Sequence, residues 1–399
     1  MSRESSVAWN AAIDTWVAEV NERTGETKAA SLDPIGPYDM AMSHRTVTED
    51  LIKIFANAIG DANSLWRSIE YGRGTRWGGI IAPPIFESCI SELPAQPTPP
   101  QVHGWNHYNA GNTRVYFRPM RPGDEIRVED TWLGVTEKTR PGRLHRLFLQ
   151  RDDRTYFNQH DEVVCVVRGR VLSTAVPPEH QEESRADERF VGRSRPHYSQ
   201  EVLDQLHQEY DDELSGKSRR GSEARYWDDV EIGDALPGVV KGPYDVTDAV
   251  AFFGAAVGYS AAFAIKWGGL KADLGRCPVD PETGEYHHVA DWHLQDSIAR
   301  VAGVPYALAF GTHTETMLSH AVTNWMGDDG FVTELDTQLR SPLFRGEMSR
   351  TSGRVVRKYV KEGAHLIELE LWAETQDGVR HSTATATVRL PSRQKKAET

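Results

Sequence analysis

Apolar residues near the start of the chain recur at helical spacing. Val7, Ala11, Ile13, Trp16, Val17 and Val20 fall on roughly one side of a helix, which predicts a short amphipathic helix. The larger pattern is an internal repeat. Val47-Thr48-Glu49-Asp50 leads into an apolar stretch ending Ala58-Ile59-Gly60, and Val246-Thr247-Asp248-Ala249 leads into another ending Ala256-Val257-Gly258. In each copy Thr48 or Thr247 is placed to cap a helix, and the acids that follow suit the positive end of its dipole. A second matched pair lies further on: Arg118-Pro119-Met120-Arg121-Pro122-Gly123-Asp124 and Ser341-Pro342-Leu343-Phe344-Arg345-Gly346-Glu347. Strand-like segments follow both. Val163 to Val171 is one; Leu366-Ile367-Glu368-Leu369-Glu370-Leu371 is another, running toward a hairpin turn at Asp377-Gly378. Each half is predicted to run helix, short helix, then several antiparallel strands, an α+β order that suits a sheet wrapped around a helix.

Between the halves the chain is charged and rich in Glu, Arg and Ser, with one polar helix predicted near Ser199 to Leu214. This segment reads as a linker crossing the outside of the molecule. The expected organisation is an N-terminal domain with its leading helix over 1–177, the linker over 178–224, a second domain over 225–391 and a frayed tail over 392–399.

Composition narrows the function. The 399 residues suffice for two cores. A net charge of −13 argues against a nucleic-acid binder, although a few local arginines suffice for an anionic coenzyme. No run of about 18 apolar residues predicts a membrane span, and the start of the chain lacks the apolar region of a secretory signal. Cys89, Cys165 and Cys277 are scattered, with no C-x-x-C, so neither a zinc ribbon nor a disulfide framework is supported. A reducing cytoplasm is the expected compartment.

Candidate chemistry starts at Gly60. Asp61-Ala62-Asn63-Ser64-Leu65-Trp66 follows it, and Gly78-Gly79-Ile80-Ile81-Ala82-Pro83-Pro84-Ile85-Phe86 comes after. This stretch resembles the FAS1-like dehydratase type of hot-dog domain in the MaoC-like acyl-CoA hydratase/dehydratase superfamily. The resemblance implies a tandem (double) hot-dog, each half an antiparallel sheet around a central helix. The family's motif is Gly-Asp-x-Asn-Pro-x-His, in which Asp and His activate a water. Asp61 and Asn63 match it, Ser64 stands where Pro is usual, and Trp66 replaces the histidine. An indole N–H only donates, so Trp66 cannot act as acid and base.

The second half carries the complement. His293 precedes Ala299-Arg300 and then Gly311, and the interval from His293 to Gly311 equals that from Trp66 to Pro84. By the resemblance, His293 is the acid/base and Gly311 begins the central helix, offering its N–H to a thioester carbonyl. Pro84 has no N–H to offer. The second half departs from the motif too: Tyr259 follows Gly258, and His288 stands where Asp is expected, with Asp291 nearby. Asp291 or His288 replaces that Asp, or the mechanism differs. Ser319 is a further candidate to face the site.

The resemblance implies interconversion of a 2-enoyl and an (R)-3-hydroxyacyl thioester, in acyl-chain or lipid or steroid-type degradation. The expected catalytic residues are His293, Asp61, Asn63 and Asp291; Gly311, Ser319, His288, Trp66 and Tyr259 are expected to bind substrate. No cofactor is expected beyond coenzyme A as part of the substrate, and no metal: the spacing of His287, His288, His293, His313 and His320 matches no zinc pattern. The expected partner is an acyl-CoA or acyl-carrier thioester, with no nucleic acid, and a homodimer of double hot-dogs is the expected assembly. Two alternatives stay open. One is a hot-dog thioesterase using Asp61. The other is a non-catalytic acyl-binding subunit of a hetero-oligomer, which the split of the Asp/His pair favours.

Overall fold

The computed structural model describes residues 3–29, 44–90, 97, 99–100, 102, 104–142, 145–177, 190, 193–257, 279–287 and 289–393. Among these described residues ten strands form one sheet, in the order β1-β3-β4-β5-β2-β7-β10-β9-β8-β6. The first five come from the N-terminal half: β1 (Thr27–Ala29), β2 (Trp105–Tyr116), β3 (Arg127–Glu137), β4 (Arg146–Phe157) and β5 (Val163–Ala175). The second five are β6 (Val239–Lys241), β7 (Phe331–Leu339), β8 (Ser349–Lys361), β9 (Ala364–Glu374) and β10 (Arg380–Arg389). Every pairing is antiparallel, and the order in one half mirrors that in the other. The halves meet where β2 pairs with β7. This is the tandem hot-dog architecture expected from the sequence.

Helices fill the concave side. In the second half α8 (Gly311–Met326) is the central helix, buried from His313 to Met326. Its Leu318, Ala321, Val322 and Trp325 pack with Leu335, Ile367, Leu369, Leu371 and Val388. In the first half a 3-10 turn (Phe86–Ile90) lies in the core with α2 (Glu49–Ala58). The Thr48 hydroxyl caps α2, accepting from Leu51 N at 3.1 Å. The matching helix α6 (Val246–Phe252) is capped differently from expectation: Asp245, not Thr247, is its N-cap, in a capping box with Asp248. An Asp at this position satisfies the orphan N–H groups as well as a Thr does. The leading helix α1 (Arg3–Glu22) buries Trp9, Ile13, Trp16 and Val20 against Trp105, Trp132 and Phe148, while Val7 points to solvent.

The linker helix α5 (Gln200–Leu214) begins where predicted, capped by Ser199. It does more than cross the outside. Leu206, Tyr210 and Glu213 share one face at helical spacing; Leu206 packs with Val240 and Met348, and Glu213 enters a polar cluster on α8.

The seam between halves is built around buried charge. Arg114 on β2 reaches Glu87 of the first-half 3-10 turn (Nε to Oε1, 2.6 Å) and Glu315 of α8 (2.9 Å), and all three side chains are buried. Asn112 donates to both Glu315 oxygens at 2.9 and 3.0 Å, and the Thr337 hydroxyl of β7 donates to Glu315 as well. Burial works against the charge on Arg114, but the two carboxylates outweigh it and hold the guanidinium firmly protonated. Replacing Arg114 with Met leaves two buried carboxylates unpaired. The expected cost is about 3–5 kcal/mol, read as a lowered urea midpoint; a midpoint within error of wild type shows that the network carries no net stability.

Candidate active site

The region around His293 is formed by residues that are distant in sequence. A 3-10 turn, Val289–His293, is followed by α7 (Asp296–Val301), and the segment 308–311 runs past it into α8. His293 Nδ1 lies 2.8 Å from the Leu308 carbonyl oxygen. A carbonyl only accepts, so Nδ1 carries the proton in the neutral ring and Nε2 keeps the lone pair. The ring packs against Phe310 (centroids 4.0 Å apart), Trp292 and Phe253. Burial pushes its pKa down to about 4, the carbonyl bond partly opposing this. The result is a neutral imidazole with a fixed tautomer beside the start of α8. No side chain caps α8, and its first N–H groups have no intrahelical acceptor.

The first half carries different groups at each corresponding point. Asp61 and Trp66 do come together: Trp66 Nε1 donates to Asp61 Oδ2 at 2.9 Å, and Asp61 Oδ1 accepts from Asn63 N at 2.9 Å. Asn63 in turn caps α3 (Ser64–Arg67) through Leu65 N at 3.0 Å. All three are buried. Pro84 offers no N–H, and the N–H of Ile85, held at φ 73°, is taken by the Tyr116 hydroxyl at 2.9 Å. The space beside these residues is an apolar cleft lined by Trp66, Pro83, Pro84, Met120 and Val332 among others.

The remaining expected residues are placed as follows. Asp291 pairs with His287 (2.9 Å) rather than with His293. Gly311 starts α8 as expected. Ser319 is buried two turns into that helix and donates to the Thr316 carbonyl at 3.0 Å. His288 and Tyr259 lie outside the described residues.

A second cluster was not visible in the sequence. His320 Nε2 lies 3.0 Å from Glu213 of the linker helix and 3.6 Å from Asp61. These three side chains offer ligand atoms within 4.8 Å of one another, the spacing of a metal site. Their bonding does not suit a cation, however. Arg219 already sits 3.0 Å from Glu213, Asn324 donates to it at 2.9 Å, and Asp61 is engaged by Trp66 and Asn63. Burial opposes the Glu213 charge, but His320, Ser218 and Arg219 outweigh it and hold the carboxyl well below the usual range. The cluster works as a polar clasp joining both halves to the linker. Glu213 was missed because it lies in a stretch whose composition reads as solvated.

Comparison with known proteins agrees with this architecture. The fold is a double hot-dog. A MaoC-like dehydratase structure aligns over 94% of this chain and 99% of its own, at TM-score 0.58 and 15% identity. A Mycobacterium tuberculosis protein described as having a double hotdog fold covers 93% and 97% at TM-score 0.50 and 12% identity, and a MaoC-like dehydratase from Phytophthora capsici covers 95% and 99% at TM-score 0.50 and 11% identity. Residues 38–167 match the FAS1-like dehydratase domain region family. UPF0336 proteins of Streptomyces avermitilis and Streptomyces coelicolor are 30% and 31% identical over 111 residues, 25% of this chain. The chain spans 65% of the length of these curated relatives. Among the described residues, no helix is long and apolar enough to cross a membrane.

Two measurements check the local chemistry. Trp66→Phe strips the buried Asp61 of a donor and is expected to cost about 1–3 kcal/mol, seen as a drop in unfolding midpoint; no change shows the indole bond to be incidental. Burial also lowers His313 to about 3 and His381 to about 4, with Lys241 and Arg193 adding to the effect. Each of these rings and His293 binds a proton more readily unfolded than folded. Stability is then full above pH of about 6.5 and falls as pH drops toward about 4. Urea midpoints at pH 7 and pH 5 test this; equal midpoints require these rings to be charged in the native state.

Proposed function

We propose that this protein is an acyl-thioester hydratase/dehydratase, interconverting a 2-enoyl and an (R)-3-hydroxyacyl thioester in its second half. One observation carries the proposal: His293 presents a fixed, neutral Nε2 beside the uncapped start of α8 at Gly311, while in the first half the His is replaced by Trp66 and the Gly by Pro84. In this mechanism Nε2 takes a proton from a water as its oxygen bonds to the β-carbon. The Cα=Cβ electron pair moves toward the thioester carbonyl, whose developing charge faces the helix N-terminus. The imidazolium then returns the proton to the α-carbon. Dehydration is the reverse. The thioester belongs to coenzyme A or a carrier protein; the chain itself needs no cofactor for these steps.

Asp61 and Asn63 serve the fold in this proposal, and Trp66 lines the apolar cleft of the first half. Asp291 acts at most through His287, since that is its partner. A non-catalytic acyl-binding role is the second reading, favoured by the same apolar cleft.

A panel of 2-enoyl-CoA esters, followed by loss of the conjugated thioester absorbance with a thiol-trapping control, tests the activity. Hydration without thiol release is expected, and His293→Ala is expected to lower kcat/KM by about 10²–10⁴-fold with an unchanged far-UV spectrum. Thiol release points to a thioesterase instead. A folded wild type inert across the panel favours the binding role. The pH profile supplies an independent check: the acid limb of kcat/KM is expected near about 4, and a limb near about 6.5 assigns the base to a different group.

A further inference from the structure

The structure points to a residue that the motif does not contain. A Cβ built on Gly311 lies 2.6 Å from Asn109 Cβ and 2.8 Å from Asn109 Nδ2, so this β2 side chain sits directly against the start of α8. Its orientation is fixed. Asn109 Oδ1 accepts from Gly111 N at 2.8 Å, which leaves Nδ2 as the donor on the α8 side. The backbone is shaped for this contact. β2 bulges between Asn109 and Asn112 against β5, and Gly111 takes φ 107° where any Cβ would lie 2.0 Å from the Thr337 carbonyl oxygen. A bulge of this kind re-aims a side chain.

Pseudo-symmetry gives an internal control. Thr113 of β2 pairs with Asp336 of β7 at the seam. Asn109 stands four residues before Thr113, and Val332 stands four before Asp336. The match holds at the neighbouring strands: Asn109 pairs with Val171 of β5 and Val332 with Val388 of β10, and β7 shows its own irregularity at that point. Val332 lines the first-half cleft with Trp66 and Pro84. The three positions thus read His293, Gly311 and Asn109 at one site and Trp66, Pro84 and Val332 at the pseudo-symmetric one. A purely structural Asn would have no reason to be replaced in step with the catalytic pair.

We infer that Asn109 Nδ2 is a second hydrogen-bond donor to the thioester carbonyl, completing with the Gly311 N–H the pocket that polarises it. This rests on the hydratase proposal for the same site. It adds the residue that distinguishes a two-donor pocket from a lone helix terminus, and it places that residue on the opposite half of the molecule. The catalytic site would then need both halves.

The test is Asn109→Asp, which keeps Oδ1 on Gly111 N and removes the donor, with Asn109→Ala as the variant that loses both. Binding of a 2,4-dienoyl-CoA reports carbonyl polarisation as a red shift of the thioester absorbance, separately from turnover. Wild type is expected to shift the band, Asn109→Asp to lose most of the shift, and its kcat/KM for hydration to fall about 10²–10³-fold, the range for losing one oxyanion donor. Retention of the full shift by a folded Asn109→Asp overturns the inference, whatever its turnover. So does a wild type that binds the probe without a shift. A wild type that shifts the band but hydrates nothing removes the hydratase proposal while leaving Asn109 as a carbonyl ligand, provided Asn109→Asp abolishes the shift.

Discussion

The ion network at the seam is the interaction on which the remaining architecture depends. Two five-stranded sheets could pair edge to edge in many registers, because a strand edge offers the same N–H and C=O groups at every second residue. Arg114 removes that freedom. It projects from β2 at the seam and meets a carboxylate from each half, Glu87 and Glu315, while Asn112 and Thr337 donate to Glu315 and the Tyr116 hydroxyl to Glu87. Slipping the seam by one residue would bury these charges without partners. A buried pair of this kind adds little stability over an apolar core, but a mispaired one is expensive. The network therefore selects a register, and with it the positions of α8 and the first-half 3-10 turn.

That register decides where chemistry is available. Each half sends a carboxylate to Arg114 from a helical element, Glu87 from the first-half 3-10 turn and Glu315 from α8, and His293 and Trp66 occupy matching intervals before those elements. In the second half the donors at the helix start are free of side-chain caps and the imidazole is neutral. In the first half the same space is closed to polar chemistry: Pro84 has no donor, Ile85 N–H is bound to Tyr116, and Trp66 is bound to Asp61. The first half holds a hydrogen-bonded indole and an apolar cleft at these positions instead. Asp61 survives as the anchor of a clasp that includes Trp66, Asn63 and His320.

Much of the fold was legible because it rests on local rules. Thr48 caps its helix as its position indicates, the strand at Leu366–Leu371 forms, and the turn at Asp377-Gly378 supplies the positive φ that glycine tolerates. The site was legible only in part. His293 and Gly311 could be matched by interval, since both lie on one continuous stretch of chain. Asn109, Glu213 and the Arg114 network could not, because each acts on the opposite half through the sheet or the linker, and sequence separation carries no record of such contacts. Asn109-Ala-Gly-Asn did leave one trace: a glycine inside a strand pattern marks a bulge. Thr247 was misjudged as a cap for a simpler reason. Asp245 lies two residues earlier and is an equally good N-cap.

In the proposed mechanism the fixed tautomer of His293 takes over part of the role of the motif's Asp. A carboxylate beside a histidine does two things: it fixes which nitrogen holds the proton, and it stabilises the imidazolium. Here the Leu308 carbonyl performs the first task at 2.8 Å. It performs the second only weakly, as a dipole and not a charge, and burial still pushes the ring down to about 4. A weak base is a poor water activator but its conjugate acid is a strong proton donor. In both directions of the proposed reaction His293 takes a proton and returns it, so its weak basicity places more of the barrier on polarising the carbonyl. That demand is what the second donor inferred at the start of α8, Asn109, would meet.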